Sequence, residues 1–235
     1  QSGFRLDRVR THYLREPRMA GGGRITYGLL AGGAGYVHLR DLTGITAPGN
    51  WPHEFDTVLQ ELRQTPALVL DLRGNQGGNH RVARFVAERF TQRRRHYLNI
   101  YEKTGPGHND FGGPERWVLH PDAPFTYTRP VAVLTDGRTA SAAEVLVLAM
   151  RQVPRAVQVG GTTAGSLGDM GPWRTLPNGW RYRMPINRFT DPDGRGYDGV
   201  GIAPQVPVQA FPAERDAGHD PVLERALAVL QERRR

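Results

Sequence analysis

The 235-residue chain carries 31 Lys and Arg against 23 Asp and Glu, a formal net charge of +8, with 38% hydrophobic and 23% charged residues. That balance excludes an intrinsically disordered chain and leaves room for one large α/β domain or two small ones. The absence of cysteine excludes a disulfide framework, a thiolate zinc site and a cysteine nucleophile.

The positive charge does not point to nucleic acid. Basic residues are scattered along the whole chain, and nearly all are Arg, with Lys103 as the only lysine. No apolar run approaches the roughly 18 to 20 residues that a membrane span needs. In chain order, residues 1 to about 20 read as short polar strand-like pieces without a core. They suggest the remnant of a preceding domain or linker over 1–24, with Gly21–Gly23 as a hinge or a join, and a compact core over 25–235. Within that core, Gly35–Leu39 has strand character, and Phe55, Val58, Leu59 and Leu62 have helix spacing. Ala67–Leu72, short and rich in branched residues, predicts a strand buried on both faces. Val82, Phe85, Val86 and Phe90 follow on one helical side, and a loose Gly-, Pro- and Tyr-rich stretch runs to about residue 129. Pro130–Leu134 predicts another buried strand, 141–150 a helix, 156–159 a strand, Trp180–Ile186 an exposed edge strand, and 220–233 a closing helix. This alternation predicts an α/β layered domain with a mainly parallel sheet flanked by helices.

Three loops carry candidate chemistry. Ser141 follows a buried strand and a Gly-containing turn and opens a helix, where unpaired N–H groups and the helix dipole favour a developing oxyanion. Ser141 with Glu144 is also a capping-box pattern, and that spacing alone favours the cap. Asp71–Asn79 runs from a strand into Arg73, Gly74, Asn75, Gly77 and Gly78, a loop whose glycines let backbone amides approach a ligand. It lacks both phosphate-loop patterns, so a tight turn and an oxyanion donor remain the two readings. The third loop, Arg195–Gln205, contains Asp198. With Asp191 and Asp193 it lacks the ladder and distal Glu of a calcium loop, so no metal site is expected.

Taken together, Asp71-x-Arg73-x-Asn75-x-Gly77-Gly78, Ser141-Ala-Ala-Glu144 and Tyr197-Asp-Gly-Val-Gly201-x-x-Pro204 resemble, in order and spacing, the tail-specific or C-terminal processing serine protease family. The likeness covers about residues 25–210. It implies a ClpP/crotonase-like fold, Ser141 as nucleophile, and an oxyanion held by the amides of Ala142 and of Gly77 or Gly78. It also implies a polypeptide substrate, no cofactor, and an extracytoplasmic, periplasmic location; homo-oligomer formation stays open. One branch of the family pairs its serine with a lysine in a T-F-G-K-G segment, where this sequence has Thr163-Ala-Gly-Ser166. The tricorn-like branch uses a histidine and a carboxylate instead, and Asp198 stands where that carboxylate, usually Glu, is expected. Its histidine lies in a D-G-H or D-S-H motif near the N-terminus, usually ahead of a PDZ domain, and none of the eight histidines here has that context. His38, in a predicted strand, reads as structural. The resemblance therefore implies a histidine base that lies outside this chain or goes unrecognised within it, with residues 1–24 as the remnant of a preceding domain such as a PDZ domain. A non-catalytic relative binding peptides or apolar ligands in the same cleft is the alternative, and a crotonase-type acyl-CoA enzyme the second.

Overall fold

The computed structural model describes residues 4–43, 51–209 and 219–233. Its frame is a seven-stranded sheet in the order β1-β2-β3-β4-β7-β8-β12. The strands are β1 (Leu14–Ala20), β2 (Ile25–Leu30), β3 (Gly35–Leu39), β4 (Leu68–Asp71), β7 (Val131–Thr135), β8 (Ala156–Gly160) and β12 (Val206–Pro207). From β3 to β12 every neighbouring pair is parallel, while β1, β2 and β3 form an antiparallel meander at one edge. The expected mainly parallel α/β architecture is what the chain adopts.

Alternation within the central strands explains why both faces are covered. Leu68 and Leu70 of β4, with Val131 and Val133 of β7, point into one core, whereas Val69, Ala132 and Leu134 point into the other. A strand buried on both sides must be apolar at successive positions, so its sequence reads as a continuous run. The first core is closed by α2 (Trp51–Glu61), α3 (His80–Glu88) and α4 (Ala142–Arg151). The second is closed by α5 (Pro221–Glu232), through Val222, Leu223, Ala226 and Leu230. Each such large apolar side chain removed from water contributes about 1.5 to 3 kcal/mol before chain entropy is charged against it.

Three features differ from the sequence expectation. Residues 4–24 do not lack a core: after a short helical turn, α1 (Leu6–Arg8), Val9 and Leu14 are buried in the second core and β1 pairs with β2 from Leu14↔Leu30 to Ala20↔Ile25. The expected boundary after residue 24 falls inside that pair. Its polar sequence reflects an edge position, with one side in solvent. Gly21–Gly23 forms the turn between β1 and β2, with φ of 61°, 61° and 82°, and the Gly21 N–H donates to Glu54 Oε2 at 2.6 Å. The stretch to residue 129 is not simply loose. It holds β5 (Arg95–Glu102) and β6 (Glu115–Leu119), which join β11 (Asn187–Thr190) in a separate antiparallel sheet ordered β11-β5-β6. Likewise 180–186 is no edge of the main sheet: only Arg181–Tyr182 is strand (β10), paired with β9 (Arg174–Thr175) in a two-stranded arm.

Because β4, β7 and β8 are parallel, their carboxyl ends meet along one edge of the sheet. The loops that leave them, 72–79, 136–141 and 161–169, converge there, where ligands bind in open α/β sheets.

Candidate active site

Asp71 and Arg73 shape the first loop. The Arg73 guanidinium is buried and donates to Asp71 Oδ2 at 2.6 Å and to Asp220 Oδ1 at 2.8 Å, and the Phe4 ring lies 4.2 Å from its centre. Tyr36 donates its hydroxyl to Asp71 at 2.8 Å. Although burial alone would lower the Arg73 pKa, Asp71 and Asp220 carry it well above the ordinary arginine value. Asp220 also caps α5, its Oδ1 accepting Leu223 N–H at 3.0 Å. One arginine thus joins the β4 loop to the C-terminal helix.

Asn75 carries this order toward Ser141. Its amide donates to the Leu39 carbonyl at 2.8 Å, its Oδ1 accepts the Gly77 N–H at 2.8 Å, and its own carbonyl accepts the Ala140 N–H at 3.0 Å. Gly77 (φ 92°) lies so close that a Cβ there would sit 2.7 Å from Ala140 O and Ala142 N and 2.8 Å from Ser141 Cβ. Gly78 (φ 145°) is pressed against Leu42, whose N–H donates to Gly77 O at 2.8 Å. The two glycines meet two different neighbours, and neither leaves room for a side chain.

Ser141 is the N-cap of α4, and of the expected capping box the Glu144 half is formed, its Oε2 accepting the Ser141 N–H at 3.0 Å, while the Ser141 side chain makes no cap hydrogen bond. A cap alone does not account for its backbone. N-cap residues are ordinarily extended, whereas Ser141 has φ 55° and ψ −126°, a region that costs a non-glycine residue about 1 to 3 kcal/mol. The Ala142 N–H, at the first turn of α4, has no acceptor among the described residues, and neither has the Gly78 N–H. Gly77, by contrast, spends its N–H on Asn75.

Sequence reasoning read Glu144 only as a cap. Its carboxylate is fully buried and takes four donors: Thr163 Oγ1 at 2.6 Å and Gly165 N–H at 2.8 Å on Oε1, and the N–H groups of Ser141 at 3.0 Å and Ser166 at 2.8 Å on Oε2. It fastens the 163–166 loop to the Ser141 turn. Ser166, where the other branch has its lysine, therefore does stand beside Ser141. Lys103 Nζ is engaged elsewhere, by the carbonyls of Gly107 and His108.

The Asp198 loop docks on the same wall. Gly199 N–H donates to Gly165 O at 2.7 Å, and Gly201 and Val200 N–H both return to Tyr197 O. Asp198 itself is exposed, and among the described residues its carboxylate has no hydrogen bond. All eight histidines lie among the described residues and none is hydrogen-bonded to Ser141. His38 is buried in β3 with Nε2 3.3 Å from Arg73 O, its Nδ1 lacks a partner among the described residues, and burial pushes its pKa down. His80, the first residue of α3, places Nδ1 3.4 Å from Asp169 Oδ1; with the Asn187 amide it holds that carboxyl below the usual range. No local signal in the sequence joins residues 80 and 169.

Comparison with known proteins places the chain in a family. The profile of Peptidase family S41 matches residues 33–208. The tricorn protease homolog 2 of Streptomyces coelicolor is 28% identical over 211 residues, covering 87% of this chain and 16% of that protein. Carboxy-terminal processing protease CtpB of Bacillus subtilis is 26% identical over 177 residues, covering 74% of this chain and 34% of that one. A crystal structure assigned as a peptidase, from Parabacteroides merdae, superposes with a TM-score of 0.86 at 28% identity, covering 97% of this chain and 70% of its own.

Proposed function

The chain belongs to peptidase family S41, and on that premise we propose that it is the core of a serine endopeptidase acting on unfolded or C-terminal polypeptide segments, with Ser141 as nucleophile. The observation that carries this reading is the strained Ser141 at the head of α4, where the Ala142 N–H, like the Gly78 N–H of the facing loop, has no acceptor among the described residues. Strain of this kind persists only where the surroundings over-determine it, here through Glu144, Asn75 and Gly77.

In the proposed reaction, Ser141 Oγ adds to the scissile carbonyl while its proton passes to a general base. The carbonyl oxygen becomes an oxyanion that accepts from the Ala142 and Gly78 N–H groups. Such donors are typically worth about 3 kcal/mol each in the transition state. Gly78 is preferred to Gly77 because the Gly77 N–H is already committed to Asn75 Oδ1. Collapse expels the amine, which takes the proton from the base, and water then hydrolyses the ester to regenerate Ser141. The base is a histidine supplied from outside this chain, since none of its own is bonded to Ser141, and Asp198, exposed and unengaged, orients that histidine.

Labelling by a fluorophosphonate tests the scheme. The full-length protein should label at Ser141 and lose labelling in Ser141→Ala, and Asp198→Asn should lower kcat by orders of magnitude with little change in Tm. Should this chain alone label as fast as the full-length protein, the base lies within it, and His80 oriented by Asp169 is the pair that the geometry offers. A folded full-length protein that neither labels nor cleaves would make this a peptide-binding relative.

A further inference from the structure

Between Asp169 and Asn187 the chain leaves the body of the protein as an arm. Its root is closed by Ile186 N–H to Asp169 O at 3.0 Å and Gly171 N–H to Met184 O at 2.9 Å, and its tip by Leu176 N–H to Trp180 O at 2.7 Å. Residues 172–186 are exposed throughout. They hold an unusual cargo for a surface: Trp180 is 73% exposed, Met184 65%, Trp173 54% and Ile186 48%. Single exposed apolar residues need no explanation, but so many in one short segment mark a binding surface. Two paired two-residue strands do not support themselves by burial, so the apolar side chains are not there for the stability of the arm.

Charge indicates what the arm meets. Residues 170–190 contain Arg174, Arg181, Arg183 and Arg188 and not one Asp or Glu. Among the described residues none of the four is paired with a carboxylate; Arg181 and Arg183 instead lie over the Trp173 ring at 5.0 and 4.9 Å. Stacking engages the guanidinium face and leaves its N–H edges free to receive carboxylates. A second copy meeting the arm about a two-fold axis would set arginine against arginine, a repulsive arrangement.

Position supplies the last step. The arm begins three residues after Ser166, whose N–H shares Glu144 Oε2 with that of Ser141. Asp169 at its root is held by Asn187 from the returning side, at 2.8 Å. The root of the arm is therefore tied, through the 163–166 loop and Glu144, to the Ser141 turn.

We propose that the 170–186 arm is a docking platform for the polypeptide substrate, selecting segments that combine apolar with acidic side chains. This rests on the peptidase reading, so its test has a readout that does not need turnover. Three fluorescent peptides of equal length and apolar content, with acidic, neutral or basic flanks, are titrated against full-length protein carrying Ser141→Ala. The acidic peptide should bind about tenfold or more tighter than the basic one, with an affinity that falls as salt rises. Arg181→Glu with Arg183→Glu should reverse that order, and Trp173→Ala with Trp180→Ala should weaken all three peptides. Arg63→Glu, exposed in the turn that follows α2, should leave the order as it was. Equal binding of the three peptides, or an unchanged order after charge reversal, overturns the proposal; so does sedimentation showing a dimer that the arm variants dissolve. Arm-dependent binding without cleavage by the Ser141 protein leaves the platform and defeats the peptidase reading, and cleavage without arm dependence does the reverse.

Discussion

Replacing Gly77 with alanine tests whether the close packing of the first loop on the Ser141 turn builds the site. Two costs are separable. At φ 92° a residue with a Cβ is strained, by about 1 to 2 kcal/mol. The Cβ would also stand 2.7 Å from Ala140 O and Ala142 N, and these are backbone atoms, which cannot rotate away as a side-chain end would. Forced overpacking of this kind costs about 1 to 3 kcal/mol more. The sum, about 2 to 5 kcal/mol, corresponds to a fall in Tm of roughly 4 to 20 °C for a domain of this size. Gly194→Ala is the matched control: its φ is 84°, and a Cβ there meets nothing within 4 Å, so it bears the strain alone. Urea unfolding of both variants at constant m isolates the contact term, and fluorophosphonate labelling should drop in Gly77→Ala but not in Gly194→Ala. If Gly77→Ala were no less stable than Gly194→Ala, the turn would have room to spare, and the account of Gly77 as the piece that seats Ser141 would be refuted.

Strain at Ser141 predicts that Ser141→Gly is more stable than Ser141→Ala by about 1 kcal/mol, although both lose the hydroxyl; equal unfolding midpoints would remove the strain from the account. Glu144→Gln keeps the volume but turns an amide N–H toward N–H or O–H groups that now have no acceptor. A loss of about 2 to 5 kcal/mol and slower labelling of Ser141 are expected, and near-wild-type urea midpoints would show that Glu144 only fills space. Burial lowers the His38 pKa below its ordinary 6.5, so the unfolded chain binds a proton that the folded one resists. Stability from this histidine is present above about pH 6.5 and is lost as pH falls through the folded value. Urea midpoints from pH 7.5 to 5 should fall more steeply for the wild type than for His38→Gln, and parallel profiles would contradict that assignment.

What could be read from the chain alone was what depends on neighbours in sequence. β4, β7 and β8 announced themselves as short apolar runs, because a strand covered on both faces has no polar side to show. α3, α4 and α5 did so through helical spacing and caps. The three loops were legible because each follows such a strand and carries glycines or a cap residue at set offsets, and their joint order carried the likeness to a protease family.

Only the folded chain decided the rest, because it depends on pairings across long sequence distances and on torsions that composition does not encode. β5 looked irregular until β11, some ninety residues later, paired with it. Arg73 could be known as the tie to α5 only once Asp220, 147 positions away, stood 2.8 Å from it. Glu144 looked like a helix cap, and became the four-fold anchor of the Ser141 turn when the 163–166 loop folded over it. The choice between Gly77 and Gly78 rests on where one backbone N–H points, which Asn75 determines. A residue's type sets what it can donate, accept or bury; which partner it meets is settled by the sheet that brings the loops together.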